Sequence, residues 1–475
     1  MDKFYHSVRL DPELCKGCIN CIKRCPTQAI RVRNGKAQIN SKFCIDCGQC
    51  IRVCQHHAKL ATYDTLDVLN QYKYTVALPP PALYSQFNNL DDVNIVLNAL
   101  VGMGFDDVFE VSAAAELVSD ATREIMSQTK DDQPLISTAC PSIVRLIRVR
   151  FPNLIPCLLP LKPPVEIAAE LAVKRAMEKT GLSREDIGIC FISPCPSKVT
   201  YAKSPLGTEK SEIDHVLAIK DVYPDLLSHM NKVNEEDMQD LATSGKIGIS
   251  WGRSGGEASG LFTDNYLAAD GIENCISVLE DMEDQKLTNV RFVELNACSG
   301  GCVGGVLTVE NPYAAEVKLT RLRKYMPVAR SHMGMEESAD EALKWTSEVE
   351  YEPVYSLGGN MMESFMRLNR VEQLCKRFPG LDCGSCGAPT CKALAEDIVR
   401  GQASENDCIY YLRENLHKLS EEVTILAEDI VAGNGDEIEA KKAFQVLKDY
   451  IGRISSEISK MDSRDKHSGD MSRTF

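Results

Sequence analysis

The sequence predicts a multidomain chain of mixed α/β and α+β class, and three observations carry that prediction. Its 475 residues correspond to roughly three domains at a usual size of about 150 residues. Three internal segments, QPLISTACPS, DIGICFISPCPSK and NVRFVELNACSGGC, read as buried strands running up to a cysteine, as in an open α/β sheet whose strand ends build a site. An N-terminal run of cysteines recurs 29 residues later, and the C-terminal part changes to heptad spacing, so a small α+β module and a helical tail flank the α/β body.

Charge and composition narrow the function. A formal net charge of -15 with scattered Lys and Arg speaks against nucleic acid or an anionic membrane surface as partner. There is no run of 18 uncharged apolar residues, and MDKFYHSVRL lacks the apolar core of a secretion signal, so a cytoplasmic chain without a membrane span is expected. Twenty cysteines are too many for packing and are misplaced as disulfides in a reducing compartment, which leaves metal.

The first element, residues 1–70, carries Cys15, Cys18, Cys21 and Cys25 followed by Pro26, and then Cys44, Cys47, Cys50 and Cys54. This spacing is that of bacterial two-cluster ferredoxins, in which the fourth cysteine of each run closes the other cluster. The pattern assigns Cys15, Cys18, Cys21 and Cys54 to one 4Fe-4S cluster and Cys44, Cys47, Cys50 and Cys25 to the other. Zinc, the alternative, is held by pairs of C-x2-C rather than by runs of four. Gln55 stands where the repeat would place a proline, a change that removes no ligand. Two neighbouring clusters form an electron wire.

The second element, residues 71–355, carries Cys140, Cys195, Cys298 and Cys302 at the ends of the predicted strands. Pro141, Pro194 and Pro196 stop those strands, and Gly300, Gly301, Gly304 and Gly305 permit close backbone approach to a bulky cofactor. Ser137-Thr-Ala-Cys-Pro141, Ser193-Pro-Cys-Pro-Ser-Lys198 and Glu294-Leu-Asn-Ala-Cys-Ser-Gly-Gly-Cys302 resemble, in order and spacing, the three signatures T-S-C-C-P, M-P-C-x-x-K and E-x-M-x-C-x-x-G-C of the FeFe-hydrogenases. The resemblance covers about residues 1 to 355. It implies an active-site domain of two α/β lobes that interconverts H2 with protons and electrons. It also implies that the four cysteines hold a 4Fe-4S cubane, that Cys302 bridges to a diiron unit with CO, cyanide and an azadithiolate, and that Lys198 hydrogen-bonds a cyanide. Read without the resemblance, Lys198 is a solvated surface lysine.

Departures from the family pattern carry information of their own. Ala139 replaces the cysteine that passes the proton in high-activity members, and Ser193 and Asn296 replace two methionines with groups able to hydrogen-bond the diiron unit. The helix expected over Glu110–Glu124 lacks the family's adjacent glutamate pair. Asp120 and Glu124 share one of its faces as a substitute path, or else form a solvated face. These changes resemble the sensory members of the family, which turn over slowly. The glycine-rich loop Trp251–Gly260, after the expected strand KIGIS, lacks both G-K-[ST] and G-x-G-x-x-G and reads as a turn near the site rather than a nucleotide loop.

The third element, residues 356–411, carries Cys383, Cys386, Cys391 and Cys408, whose spacing resembles a small 4Fe-4S domain of anaerobic electron-transfer proteins; four thiolates also suit zinc. Cys157, Cys190, Cys275 and Cys375 share no spacing and read as small buried apolar residues. In residues 412–462, Leu412, Leu416, Leu419, Val423, Leu426 and Ile430 follow a heptad, as do Phe444, Leu447, Ile451, Ile454, Ile458 and Met461 beyond a stop at 432–435. Either a hairpin or a dimerising coiled coil follows, ahead of a disordered tail at 463–475. The expected protein is therefore an FeFe-hydrogenase with a diiron unit and four 4Fe-4S clusters. It acts as an H2 or redox sensor, as a homodimer, that passes electrons to a ferredoxin or another redox or signalling protein. The alternatives are an electron-transfer subunit on the same scaffold and a ferredoxin-coupled catalytic hydrogenase.

Overall fold

The computed structural model describes residues 5–129, 134–234, 236, 238–332, 341–354 and 357–431, together with 441, 442, 444, 445, 448 and 449. The second heptad stretch from Leu447 on and the expected tail lie outside the described residues. The chain divides into two compact units. One comprises residues up to 14, 24–29 and 39–354, and the other 15–23, 30–38 and the described residues from 357 on.

In the first unit, β1 (Val8–Leu10) pairs antiparallel with β4 (Lys59–Ala61). A four-stranded parallel sheet follows in the order β6-β5-β8-β9, from β5 (Tyr74–Leu78), β6 (Asp107–Val108), β8 (Ile187–Ser193) and β9 (His215–Ala218). All seven residues of β8 are buried, as expected of a central parallel strand covered by helices on both faces. A second parallel sheet, β10-β11-β7, is built from β7 (Leu135–Ile136), β10 (Tyr266–Asp270) and β11 (Phe292–Asn296). These are the two expected α/β lobes, and the three cysteine-bearing segments are all strands. The first is shorter than its sequence suggested, with only Leu135 and Ile136 paired before the chain turns toward Cys140.

One expected strand is a helix. KIGIS forms the short helix Lys246–Ser250 along the helix Val111–Gln128, where the buried Glu116 accepts hydrogen bonds from the amides of Gly245 (2.7 Å) and Gly248 (3.2 Å). A carboxylate that gathers amides three residues apart curls the segment, and an apolar run this short carries no period to reveal it. Gly248 is required there, because a Cβ would lie 2.1 Å from the carbonyl oxygen of Ser112.

In the second unit, β2 (Ile30–Arg33) and β3 (Lys36–Ile39) form a hairpin whose turn, Asn34-Gly35, has φ of 52° and 70°, the left-handed pair that a tight two-residue hairpin needs. Helices Met361–Arg377, Cys391–Val399 and Ile409–Val431 complete the unit, with Val371, Leu374, Phe378, Ala388 and Leu394 in its core. The hairpin is bolted to the cysteine loop. Val32 N–H donates to Gly387 O at 2.8 Å, and buried Asp397 accepts from Arg31 Nε (2.6 Å) and Arg33 Nη2 (2.8 Å).

Candidate active site

Cys140 and Cys195 occupy equivalent places in the two lobes. Each is the N-cap residue of a helix that opens with proline, Pro141–Arg150 and Pro196–Lys203 respectively. Proline at the first helical position fixes φ and gives up only an N–H that would be unpaired anyway, so the thiol faces the positive end of the helix at little cost. Cys298 and Cys302 flank the turn after β11. Gly301 there has φ 84°, and a Cβ on it would lie 2.6 Å from Ser254 N, while one on Gly305 would lie 2.1 Å from Pro194 O. These glycines thus bring protein backbone together, seating the Cys302 loop against the Cys195 loop, rather than clearing room for a cofactor.

The four thiols belong to one buried electrostatic group. Burial pushes Cys195 up to about 11, with Lys198 opposing and Cys302 and Cys140 adding to the rise. Burial also raises Cys298 strongly, with Cys195 and Cys140 contributing and Arg52 opposing. Lys198 Nζ lies 3.5 Å from Cys302 Sγ. Its burial would favour the neutral amine, but the Cys302, Cys195 and Cys140 sulfurs outweigh that and hold it well above the lysine range. It is not a surface lysine. Four soft sulfur donors, with the thiolates of Cys195 and Cys298 made costly by burial, suit an iron-sulfur cluster, which replaces protons with metal.

Lys198 and Cys302 open onto a pocket walled by Pro81, Val111, Pro164, Phe191 and Trp251 and also lined by Ala139, Glu257, Glu294 and Asn296. An apolar chamber with one cysteine and one ammonium in its wall fits a bulky anionic group anchored through Cys302, the class of cofactor implied by the signatures.

Two buried carboxyls at this pocket escaped the sequence reading as functional groups. Glu257 accepts a 2.5 Å hydrogen bond from Ser137 Oγ, which itself accepts from the Ala139 amide at 3.3 Å. Glu294 accepts from the amides of Gly255 and Ala258, both at 2.9 Å, and from Asn296 Nδ2 at 2.8 Å. Burial, and then the charge of Glu294, push Glu257 well above the usual carboxylate range. Glu294 is also raised by burial, but its hydrogen bonds to Ala258, Asn296 and Gly255 and the Arg253 charge counter the rise. Glu257 is therefore the partner that keeps the proton. Its only signal in sequence was an acidic residue inside the glycine-rich loop.

Other expected residues fall differently. Ser193 Oγ donates to Cys195 O at 2.9 Å and accepts from Cys195 N at 3.3 Å, so it shapes the cysteine loop instead of reaching into the pocket. Asn296 does line the pocket, but its amide nitrogen is engaged with Glu294. Asp120 is paired with Arg123, and Glu124 is exposed. Glu110 and Glu116 are anchors: Glu110 accepts from Tyr84 Oη (2.9 Å) and Thr243 N (2.6 Å).

Within the first unit, the thiol of Cys47 is raised by burial and then by Cys25, with smaller contributions from Cys50 and Cys298, which puts the second ferredoxin-like run beside the site cysteines. Arg52 Nη2 donates to Gly304 O at 2.5 Å across the same contact. His6 Nδ1 and Asp46 Oδ2, 2.8 Å apart and buried, stand beside Cys44, a pair with no signal in sequence. Cys15, Cys18 and Cys21 belong to the second unit and Cys54 to the first. In the second unit, burial raises the thiol of Cys386, with Cys408 and Cys383 adding to the effect, while hydrogen bonds from Ser385 lower that of Cys383. Cys391 opens the helix that Thr390 caps. Cys190 and Cys275 are fully buried, and Cys157 and Cys375 half-buried. No helix among the described residues is long and apolar enough to cross a membrane.

Thiols delivered from the strand ends of two parallel sheets to a pocket with a lysine ammonium in its wall, beside a ferredoxin-like cysteine run, define an iron-sulfur protein of the oxidoreductase type. The chain belongs to the iron-only hydrogenase large-subunit family: the model of that family's C-terminal domain matches residues 73–264 and 257–306. A 4Fe-4S dicluster domain matches residues 7–55, and a domain described as a putative Fe-S cluster matches 378–410. The NADP-reducing hydrogenase subunit HndD of Solidesulfovibrio fructosivorans is 21% identical over 63% of this chain and 64% of its own length. The cytosolic Fe-S cluster assembly factor NAR1 of Scheffersomyces stipitis is 24% identical over 49% of this chain and 50% of its own. Thus the chain spans under two thirds of the length of both relatives. A solved structure of a variant of the FeFe-hydrogenase HydA1 from Chlamydomonas reinhardtii covers 54% of this chain and 87% of its own, at 16% identity and a TM-score of 0.43.

Proposed function

We propose that this protein interconverts H2 with two protons and two electrons at a diiron unit joined to a 4Fe-4S cubane. We further propose that it does so slowly, as an H2 or redox sensor that hands electrons through its clusters to a ferredoxin or another redox or signalling partner. The observation that carries the reading is the Lys198 ammonium facing the pocket 3.5 Å from Cys302 Sγ. Cys140, Cys195, Cys298 and Cys302 would hold the cubane, Cys302 would also reach the diiron unit, and Lys198 would bond its cyanide. When bound, that group supplies heterolytic splitting of H2.

The chain's own residues must then hold a proton and exclude water. Proline, valine and phenylalanine side chains give the pocket apolar walls. Glu257, protonated because of its burial, is placed to exchange a proton at its carboxyl oxygen, with the Ser137 hydroxyl fixing its orientation and Glu294 as a neighbouring acceptor. Ala139 has no exchangeable side-chain proton, so the route skips the position that a thiol fills in fast relatives, which supports low turnover. Three further 4Fe-4S clusters, on Cys44, Cys47, Cys50 and Cys25, on Cys15, Cys18, Cys21 and Cys54, and on Cys383, Cys386, Cys391 and Cys408, complete the proposed wire.

Infrared spectroscopy of protein matured with the diiron cofactor tests this. Metal CO and cyanide bands that shift reversibly between argon and H2 are expected. Their absence, with cubanes intact, would establish instead an electron-transfer or cluster-handling protein on this scaffold, the second reading, which the likeness to an Fe-S cluster assembly factor favours.

A further inference from the structure

We infer that the helix Ile409–Val431 is one strand of a parallel, two-stranded coiled coil formed with a second copy of this chain. The inference stands apart from the hydrogenase reading. Its 23 residues place Ile409, Leu416, Val423 and Ile430 at the first core position of successive heptads and Leu412, Leu419 and Leu426 at the other. Leucine at every d position with mostly β-branched residues at a is the combination that selects two parallel strands over larger bundles.

The geometry leaves the first core positions of this seam open, with Leu412 and Leu419 half-buried. Ile409, Leu416 and Val423 are 49%, 46% and 38% exposed, values that belong on a surface and not in a helical core. The helix meets its own unit through a different face: Tyr411, at a c position, packs edge-on against Phe378 at 6.1 Å and accepts a hydrogen bond from Arg377. The outer positions carry the ion pairs Glu414–Lys418 and Glu421–His417, which need solvent rather than a partner. A c position lies far round the helix from the a and d stripe, so the docked face and the apolar seam do not compete.

Charge selects the occupant and its direction. The flanking g positions are Asn415, Glu422 and Asp429, and the e positions are Arg413, Ser420 and Ala427. In a parallel pair, g meets e of the other copy, so Glu422 faces Ala427 and Asn415 faces Ser420 without like-charge contacts. An antiparallel pair would line the acidic g positions against each other. Because Ile409 directly follows Cys408, the parallel pair also brings two copies of the C-terminal cysteine quartet to the same end of the rod.

The test uses the full, metal-loaded chain. Sedimentation is expected to give a dimer, and Val423→Asp a monomer with unchanged iron content and cluster EPR. Leu412→Cys and Leu419→Cys, each oxidised mildly beside the parent chain, are both expected to form covalent dimers. A monomeric parent, or a dimer that survives Val423→Asp, overturns the inference. Linking at only one of the two cysteine positions also overturns it, since an antiparallel pair can juxtapose equal residues at just one level.

Discussion

Cys140, Cys195, Cys298 and Cys302 arrive from three separate segments at the ends of two sheets, whereas Cys383, Cys386, Cys391 and Cys408 come from one stretch of the second unit. In the dispersed quartet, burial raises the thiols of both Cys195 and Cys298. In the local quartet burial raises Cys386, but hydrogen bonds from Ser385 lower the thiol of Cys383. A dispersed set depends on the whole core for its geometry and shields what it binds. A local set needs only its own loop and the hairpin beneath it, and stays open to exchange. The first suits chemistry on a small molecule, the second transfer to another protein.

The largest expected effect lies in the dispersed site. Lys198→Met should abolish diiron loading and H2 turnover, a loss of 1,000-fold or more on the order expected for a buried charge-assisted contact, and leave the C-terminal cluster's EPR signal intact. Loss of both signals together would break the contrast. Next, Glu257→Gln should lower turnover about 100-fold and flatten its pH profile, in the range of a lost general acid or base, while Ala139→Cys should raise turnover. If Glu257→Gln keeps the parent's pH profile, the carboxyl is only a wall. In the second unit, Asp397→Ala removes the carboxylate that Arg31 and Arg33 share and should cost about 1–3 kcal/mol, read as loss of the C-terminal cluster in mild denaturant with the site bands unchanged.

The smallest effect concerns Glu166, whose buried carboxyl accepts from Ser211 Oγ (2.6 Å) and Glu212 N (2.8 Å) and is pushed up to about 7 by burial. Below the ordinary value of 4.5, folded and unfolded chains both hold this proton. As pH rises toward 7 only the unfolded chain releases it, so folding stability falls, by up to about 3 kcal/mol, and then levels off. Glu166→Gln should remove that slope in denaturation curves taken at several pH values. An unchanged slope would show that other groups set it.

The same contrast explains what could be read in the sequence. The iron-sulfur domains at residues 7–55 and 378–410 were legible because their cysteines are close in sequence, so spacing alone carries them. The dispersed quartet was legible only through three strands that each end near a cysteine, plus the resemblance that grouped them. Glu257 was hidden because it reaches the pocket from a four-residue helix in a glycine-rich loop, where no periodicity marks an inward face. KIGIS misled because its fold is dictated by Glu116, more than a hundred residues away. Ser193 misled because a hydroxyl two residues before a turn finds backbone partners nearer than any cofactor.

The proline after Cys140 and the proline after Cys195 bear on how such a protein comes to be loaded. Each fixes φ one residue beyond a cysteine, and each begins a helix held by the core, so little backbone freedom remains around the two thiols. Little conformational freedom is then left to lose when the cofactor enters. The chain can therefore finish folding first and receive its inorganic part as cargo in a finished berth, in contrast to a zinc finger, which must fold around its ion.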